Sequence, residues 1–258
     1  MLLAVDVGNT STVMGLYDGP RLAAHWRVAT DRIRMADQYA VLIKSLLELE
    51  DLPPPDRAIV SSVAPPVERE LSYALKRYWR AESALVNSAM LDGLLQVETD
   101  NPREVGADRL VNAIAALERP AADAFVIVDF GTATNFDLMV KPNRLLGVAL
   151  APGPMVAAEA LFARAAKLPR VDLVAPAKAV GKNTVSALQS GLVFGYAEMV
   201  DGMVTRIKRE IDPEFRTVEV IATGGFAEVV RGHCRNVDTF EPLLTLQGLR
   251  RIADKLGI

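Results

Sequence analysis

The chain has 258 residues, half of them hydrophobic, and a formal net charge of −3, so it is long enough to bury the core of one large or two medium domains. This mild negative charge argues against a protein that holds nucleic acid. The sequence has neither an apolar run of about 18 residues nor a secretory signal pattern, so we expect a cytoplasmic protein without a membrane partner. One cysteine, Cys234, and two histidines offer neither an internal disulfide nor a zinc site, so any chemistry must rest on carboxylates, hydroxyls, backbone amides and added ions.

The first third of the chain predicts a β-meander followed by alternating helices and strands. Apolar runs separated by short turns predict strands over residues 2–7, 12–17 and 22–28. A helical pattern covers residues 35–49, and three consecutive prolines end it. Further strands over residues 58–63 and 83–86 flank a helix over residues 66–79. This alternation favours a mixed or parallel sheet with covered faces.

A second copy of the opening segment lies 123 positions further along the chain. Five residues of the opening recur at that spacing without a gap, namely Val5, Asp6, Gly8, Arg21 and Leu22, as Val128, Asp129, Gly131, Arg144 and Leu145. Each copy predicts a strand, an acidic-glycine turn, a strand, a turn and a strand. The shared order indicates two related halves, residues 1–117 and 118–258, with a site in the cleft between them and the last helix packing back on the first half.

The second half continues with helices over residues 155–167 and 184–210. Gly191, Gly195 and Gly202 interrupt the longer helix at a cost of about 1 kcal/mol each relative to alanine. Two explanations stay open, which are close packing against a neighbouring element and a seam between two subunits. The remaining pattern predicts a strand over residues 218–222, a glycine loop, a helix, a strand over residues 237–240 and a last helix over residues 244–256.

The two acidic-glycine turns are suited to nucleotide phosphates. In the first turn, Gly8 lets backbone amides approach anionic oxygens, Asn9 and Thr10 add donors, and Asp6 can hold a hydrated Mg²⁺. The second turn offers the matching set Asp129, Gly131, Thr132 and Thr134. Because such residues also form ordinary turns, it is their pairing in repeated halves that favours a functional role.

Two other segments carry candidate chemistry. Gly224 and Gly225 follow a strand and precede a predicted helix, where free amides and a helix dipole suit a nucleotide, although a simple strand-to-helix turn explains them equally well. Asp108 and Arg109 follow Gly106 at the start of an apolar helix. Asp108 is explained either as a helix cap or as the base of a phosphoryl acceptor site, where Arg109 holds an anionic substrate.

Together these segments closely resemble the type III pantothenate kinases, members of the acetate and sugar kinase, Hsp70 and actin superfamily. The resemblance runs nearly end to end and rests on DVGNT at 6–10, NPREVGADR at 101–109, DFGTAT at 129–134, APG at 151–153, AKLPRV at 166–171, GKNTVSALQSG at 181–191 and ATGG at 222–225. It implies an α/β fold, the two-lobed ribonuclease H-like (actin-like ATPase) fold with duplicated mixed sheets and a cleft between them.

The resemblance also implies an activity, the ATP-dependent phosphorylation of pantothenate to 4'-phosphopantothenate, the first step toward coenzyme A. The ATP-binding set would be Asp6, Val7, Gly8, Asn9, Thr10, Ser11, Thr12, Val13, Thr132, Gly224 and Gly225. The pantothenate-binding set would be Thr99, Gly106, Ala107, Asp108, Arg109 and Thr184. Asp108 would act as general base, Asp129 would hold K⁺ or NH₄⁺, and Asp6 would hold Mg²⁺ directly or through water. A homodimer would complete the acceptor pocket at its subunit interface.

Four positions depart from the usual pattern of the family. They are Thr99 in place of tyrosine, Asn135 in place of threonine, Val148 in place of glycine and Ala157 in place of serine. Two other functions compete with pantothenate phosphorylation: a non-catalytic accessory factor for transcription, and another small-molecule kinase or phosphohydrolase of the superfamily. The joint presence of Asp6, Asp108, Arg109 and Asp129 argues against a catalytically dead protein.

Overall fold

The computed structural model describes residues 1–165 and 167–258, which form two compact units. Unit 1 comprises Met1–Gln96, Asp100–Ala115 and Leu244–Ile258, and unit 2 comprises Val97–Thr99 and Ala116–Leu243. The last helix therefore belongs to the same unit as the N-terminal strands. None of the helices in the described ranges is both long and apolar enough to cross a membrane.

Eleven strands and seven α-helices cover most of the described chain. The strands are β1 Leu2–Val7, β2 Ser11–Asp18, β3 Arg21–Ala29, β4 Arg57–Ser62, β5 Glu82–Leu85, β6 Gln96–Val97, β7 Ala124–Phe130, β8 Ala133–Val140, β9 Arg144–Pro152, β10 Val218–Gly224 and β11 Thr239–Phe240. The helices are α1 Ala36–Leu49, α2 Pro65–Trp79, α3 Ala107–Leu117, α4 Pro154–Arg164, α5 Thr184–Glu210, α6 Ala227–Val230 and α7 Leu244–Leu256.

Unit 1 is built on a five-stranded mixed sheet with the order β3-β2-β1-β4-β5. The antiparallel meander β1-β2-β3 lies on one side, and β4 and β5 run parallel to β1 on the other. Leu3, Val5 and Val7 alternate into a core that α1 and α2 cover. On the opposite face, a Cβ added to Gly15 would lie 2.8 Å from a methyl of Leu246, because α7 packs directly on the sheet there.

Helix α7 also holds α3 in place. A Cβ added to Gly248 of α7 would clash with the backbone carbonyl of Val111 in α3, so only glycine permits this close helix crossing. The Thr245 hydroxyl of α7 donates a 2.9 Å hydrogen bond to the side chain of Asn112, which is fully buried. The C-terminal helix thereby fixes the helix that begins with Ala107 and Asp108.

Unit 2 repeats the arrangement of unit 1 with a six-stranded sheet ordered β11-β10-β7-β8-β9-β6. Strands β7, β8 and β9 form an antiparallel meander, and β10 and β11 run parallel to β7. The third strands of the two meanders, Arg21–Ala29 and Arg144–Pro152, lie 123 positions apart at both ends. Val126 and Val128 of β7 pack in a core with Val193 and Val200 of α5.

Several predicted boundaries differ from the structure. Helix α4 ends at Arg164, not at residue 167, and Pro169 disfavours any continuation of the helix beyond that region. Ala166, which opens the AKLPRV segment, lies outside the described residues. The predicted helix after the glycine loop is only the four-residue α6, which Gly232 follows with a φ of +83°. The strand predicted over residues 237–240 is only the two-residue β11, and the two-residue β6, which was not predicted, is too short for a periodic signal.

The glycines of α5 do not allow a close contact within the chain. The helix spans Thr184–Glu210, as predicted. A Cβ added to Gly191, Gly195 or Gly202 would meet nothing within 4 Å, and all three residues are exposed. Packing against a neighbouring element within residues 1–165 and 167–258 is therefore the wrong explanation for them, while the subunit seam stays a prediction.

Candidate active site

The turn between β1 and β2 is tied to the end of β3. The Gly8 amide donates a 3.1 Å hydrogen bond to the carbonyl of Ser11 across the turn. The Thr30 hydroxyl donates to the Gly8 carbonyl at 2.8 Å and shares a 2.9 Å hydrogen bond with the buried Thr12 hydroxyl. The Thr30 amide donates to the carbonyl of Thr10 at 2.9 Å. One threonine thus contacts both arms of the turn and fixes its shape.

The tip of this turn presents polar groups to solvent. Asn9 and Thr10 are exposed. The Arg32 guanidinium donates a 2.8 Å hydrogen bond to the side-chain oxygen of Asn9, which orients the amide nitrogen of Asn9 away from that arginine. The turn therefore lets a ligand approach the backbone closely at Gly8 and offers it the side-chain amide of Asn9 and the hydroxyl of Thr10. These groups suit an anionic ligand.

Asp6 lies just before the turn, in register with Val13 of β2 and Ser61 of β4. The buried Ser61 hydroxyl donates a 2.6 Å hydrogen bond to Oδ1 of Asp6. Burial raises the pKa of Asp6 to about 7, against the lowering effect of the Ser61 hydrogen bond. The charge of Asp108 raises this pKa further and the charge of Arg27 lowers it, so both side chains lie within electrostatic reach of Asp6.

Asp108 occupies the first turn of α3. Its Oδ1 accepts a 2.8 Å hydrogen bond from the Arg109 amide, so it caps its own helix, as one of the two explanations requires. Burial raises the pKa of Asp108, and the hydrogen bond and charge of Arg109 oppose that effect. A Cβ added to Gly106 would lie 2.5 Å from Oδ1 of Asp108, so glycine leaves the space that the carboxylate occupies. Capping and acid-base chemistry are compatible here, since a carboxylate accepts several hydrogen bonds at once.

Unit 1 thus brings together two carboxylates whose pKa values are both raised. Perturbed pKa values cluster at functional sites, so this pair, with a turn that suits an anion beside it, marks a candidate functional site. The sequence indicated Asp6, Gly8, Asn9, Thr10, Asp108 and Arg109. It did not indicate Ser61, Thr30, Arg27 or Arg32, which reach this region through strand pairing and have no motif of their own.

The matching turn of unit 2 is more crowded. Asp129 lies in β7, in register with Asn135 and Thr223. The Gly153 amide donates a 2.9 Å hydrogen bond to the Thr132 carbonyl, and a Cβ added to Gly153 would clash with the Gly131 carbonyl. The APG segment is therefore explained by its contact with this turn. Thr132 itself is exposed at the turn tip.

Gly224 has a structural requirement that the sequence did not reveal. Its φ is +91°, and an added Cβ would lie 2.5 Å from Oδ1 of Asp129 and 2.7 Å from the Phe130 backbone. The close approach of β10 to Asp129 requires glycine at this position. Because α6 has only four residues, the helix dipole expected at Gly224 and Gly225 is weak.

The donor atoms fit the ions that the resemblance implies. Among the described residues there is no group of three or more histidine, cysteine, aspartate or glutamate side chains arranged to hold a metal. A single carboxylate such as Asp6 suits Mg²⁺, which keeps several waters and takes its other ligands from substrate phosphates. Opposite Asp129, the buried Oδ1 of Asn135 has no hydrogen-bond partner within the described ranges, so an oxygen is left for a cation.

The remaining predicted acceptor residues lie in unit 2. Thr184 is the exposed first residue of α5, and the preceding Asn183 caps that helix by accepting a 2.9 Å hydrogen bond from the Ser186 amide. Thr99 is half-buried, and its hydroxyl has no hydrogen-bond partner in the part of the chain that the structure describes. Gly106–Arg109 lie in unit 1.

Comparison with known proteins identifies close relatives over the full chain. A family model described as type III pantothenate kinase matches residues 2–206. The chain is 55% identical to a type III pantothenate kinase of Thermus thermophilus, with 98% of both chains covered. It is 49% identical to the type III pantothenate kinase of Deinococcus radiodurans, with 96% of this chain and 94% of that one covered.

Solved structures with the same architecture are more distant in sequence. A putative Baf family transcriptional activator from Campylobacter jejuni superposes with a TM-score of 0.58 at 18% identity, covering 99% of this chain and 98% of that one. An inorganic polyphosphate/ATP-glucomannokinase from Arthrobacter gives a TM-score of 0.50 at 13% identity, with 99% and 98% covered. At these identities the likeness concerns the fold alone, and it confirms the predicted actin-like α/β class with a mixed sheet in each unit.

Proposed function

Because the chain belongs to the type III pantothenate kinase family, we propose that it transfers the terminal phosphoryl group of ATP to the primary hydroxyl of pantothenate. The product is 4'-phosphopantothenate, on the route to coenzyme A. The observation that carries this proposal is the pairing of Asp6 and Asp108 in unit 1, beside a turn that suits phosphates. The reaction takes place in the cytoplasm in this proposal, since ATP is supplied there.

In this reaction Asp108 is the general base. Burial raises its pKa, which makes the carboxylate a better proton acceptor than an exposed aspartate. A primary hydroxyl is a weak acid, so Asp108 orients it and takes its proton late, as the loose transition state of phosphoryl transfer allows. The Arg109 amide orients the carboxylate of Asp108 by a hydrogen bond to Oδ1, and the substrate hydroxyl donates to the same carboxylate in this proposal.

The segment of residues 6–13 binds the ATP phosphates in this proposal. The fixed turn supplies Gly8 and the side chains of Asn9 and Thr10, and Asp6 holds Mg²⁺ directly or through water. When bound, Mg²⁺ neutralises charge on the phosphate oxygens. Because Ser61 fixes Oδ1 of Asp6, the orientation of the carboxylate is set before ATP arrives.

The unit 2 turn binds the monovalent cation in this proposal. Asp129 and the unpartnered oxygen of Asn135 hold K⁺ or NH₄⁺, so the departure from threonine at residue 135 keeps an oxygen donor. Thr132, Gly224 and Gly225 are assigned to ATP as well. The exposure of Thr132 and Gly225 supports that assignment.

Pantothenate binding involves Arg109, whose guanidinium suits the carboxylate of the substrate. Gly106, Ala107, Thr99 and Thr184 complete the acceptor set. A homodimer is part of the proposal, with the acceptor pocket at the subunit interface. It is supported by the solvent-facing glycines of α5 and by a set of exposed large apolar side chains in unit 2, Leu150, Met155, Val156 and Leu161.

One assay tests the activity and its rivals. The purified protein is incubated with ATP, Mg²⁺ and K⁺, with and without pantothenate, and 4'-phosphopantothenate and ADP are measured. We expect product only when pantothenate is present. ADP formation without pantothenate would favour a phosphohydrolase, turnover of another alcohol alone would favour a different kinase, and no turnover at all would favour a non-catalytic accessory factor.

A further inference from the structure

The edge strand β3 places an arginine in line with the candidate site. Directly opposed residues of neighbouring strands point their side chains to the same face of the sheet. Ser61 pairs with Asp6, Asp6 with Val13, and Val13 with Arg27, so these four residues form one row across β4, β1, β2 and β3. Alternate residues of β1 fill the core on the other face, so the row faces away from that core.

Arg27 is exposed, and its guanidinium forms no hydrogen bond or ion pair with any residue of 1–165 or 167–258. Neighbouring strands are about 4.8 Å apart, so the Cα atoms of Arg27 and Asp6 are separated by about 10 Å, a span that a long arginine side chain can largely bridge. The positive charge of Arg27 does reach Asp6, since it lowers the pKa of that carboxyl against the stronger effect of burial.

The phosphate-binding segment lacks a cation of its own. Residues 6–18 contain no lysine or arginine, although the nucleoside triphosphate that they would bind carries several negative charges. Of the two arginines associated with the turn, Arg32 is already engaged with the side chain of Asn9. Arg27 has no such engagement among the described residues, so its guanidinium is available to an anionic ligand at this end of the sheet.

We propose that Arg27 is a catalytic residue that contacts the terminal phosphoryl group of ATP during its transfer. This inference rests on the proposed function, in which residues 6–13 bind the ATP phosphates. The bond from the terminal phosphorus to the bridging oxygen breaks, the bond to the substrate oxygen forms, the hydroxyl proton passes to Asp108, and ADP leaves. The guanidinium of Arg27 neutralises charge on the transferred oxygens and takes no part in the proton transfer.

The test compares Arg27→Gln with Arg27→Lys and with Arg21→Gln. Arg21 is a matched control because it is exposed on the same strand, at the end far from Asp6, within 3.9 Å of Asp18. We expect Arg27→Gln to lower kcat by about 10²-fold or more, as loss of a charge-stabilising arginine does in other phosphoryl transfers. Arg27→Lys keeps the positive charge but lacks the planar guanidinium, so its kcat should lie between those of the wild type and Arg27→Gln. The kcat of Arg21→Gln should match that of the wild type.

Calorimetry supplies a readout that does not depend on turnover. Arg27→Gln is expected to weaken binding of a non-hydrolysable ATP analogue by about 10-fold or more and that of ADP by less than about threefold, because only the analogue carries the terminal group. Equal losses for both ligands, or wild-type kcat in Arg27→Gln, would overturn the role of Arg27 and leave the kinase proposal standing. Wild-type protein that neither binds the analogue nor phosphorylates pantothenate would overturn both.

Discussion

Replacing Asp6 by asparagine should make the protein more stable at alkaline pH while it removes activity. The folded protein holds this carboxyl in a buried position that raises its pKa from 3.8 to about 7. Asparagine has nearly the same shape and keeps an oxygen that accepts the hydrogen bond from Ser61, but it has no charge to bury. The change therefore removes the cost of ionisation and leaves the packing intact.

The size and sign of the effect follow from the difference between the two pKa values. A folded-state pKa above the unfolded value means that the carboxyl stabilises the fold only while it is protonated, so its contribution is full below pH 4 and is lost as the pH rises through 7. A difference of roughly three pK units corresponds to about 4 kcal/mol. Because the residue as a whole is partly exposed although its carboxyl is buried, we discount this figure and expect Asp6→Asn to gain about 2–4 kcal/mol at pH 8 and almost nothing at pH 4.

Urea unfolding followed by tryptophan fluorescence measures this gain. Both tryptophans, Trp26 and Trp79, belong to unit 1, so the signal reports the unit that contains Asp6. The buffer contains EDTA, since a bound divalent ion would offset the buried charge. Asp18→Asn, at an exposed carboxylate that ends β2, is the control and should change stability by less than about 0.5 kcal/mol at either pH. A gain that is absent at pH 8, or equal at both pH values, would refute the burial of a charged Asp6.

Three further changes test other parts of the site. Asp108→Asn should lower kcat by about 10²-fold or more in steady-state assays with an unchanged circular dichroism spectrum, and a fully active variant would remove Asp108 from the role of base. Gly224→Ala should cost about 2–4 kcal/mol in thermal unfolding, since it combines a φ of +91° with contact to Asp129, whereas Gly232→Ala, with a φ of +83° and open space, should cost about 1 kcal/mol. Gly195→Leu should convert a dimer to monomers in sedimentation experiments without lowering the melting temperature, because the side chain has open space within the chain; a stable dimer would exclude α5 from the seam.

Local patterns predicted much of each unit. The 27 residues of α5 and the 13 of α7 have the predicted limits, because Asn183 caps the one and Gly257, with a φ of +68°, follows the other. The first strand was equally clear, since the apolar run of residues 2–5 is typical of a strand covered on both faces. The repeat at 123 positions correctly predicted a meander in each unit.

Contacts between distant residues could not be read from these patterns. Ser61 bonds Asp6 across 55 positions, and Thr30 bonds Gly8 across 22, through strand registers that no local motif specifies. Arg27 is an ordinary exposed residue in the sequence and joins the row of Asp6 only because β3 pairs with β2 in one particular register. The surroundings of the candidate site depend on these pairings, so the sequence indicated the candidate carboxylates but not the side chains that adjust their charge and orientation.

The repeat also concealed a difference between the two acidic turns. At a spacing of 123 positions, Val13 corresponds to Phe136, yet Asp6 pairs with Val13 whereas Asp129 pairs with Asn135. The second turn is therefore one residue shorter, and because side chains alternate between faces, the residues of β8 that share a face with Asp129 are the opposite set. Asp6 has an apolar neighbour on β2 and takes its polar contact from Ser61, whereas Asp129 faces an amide. A one-residue change in register thus gives two similar turns different surroundings, which favours a phosphate and Mg²⁺ role for the first and a monovalent cation role for the second.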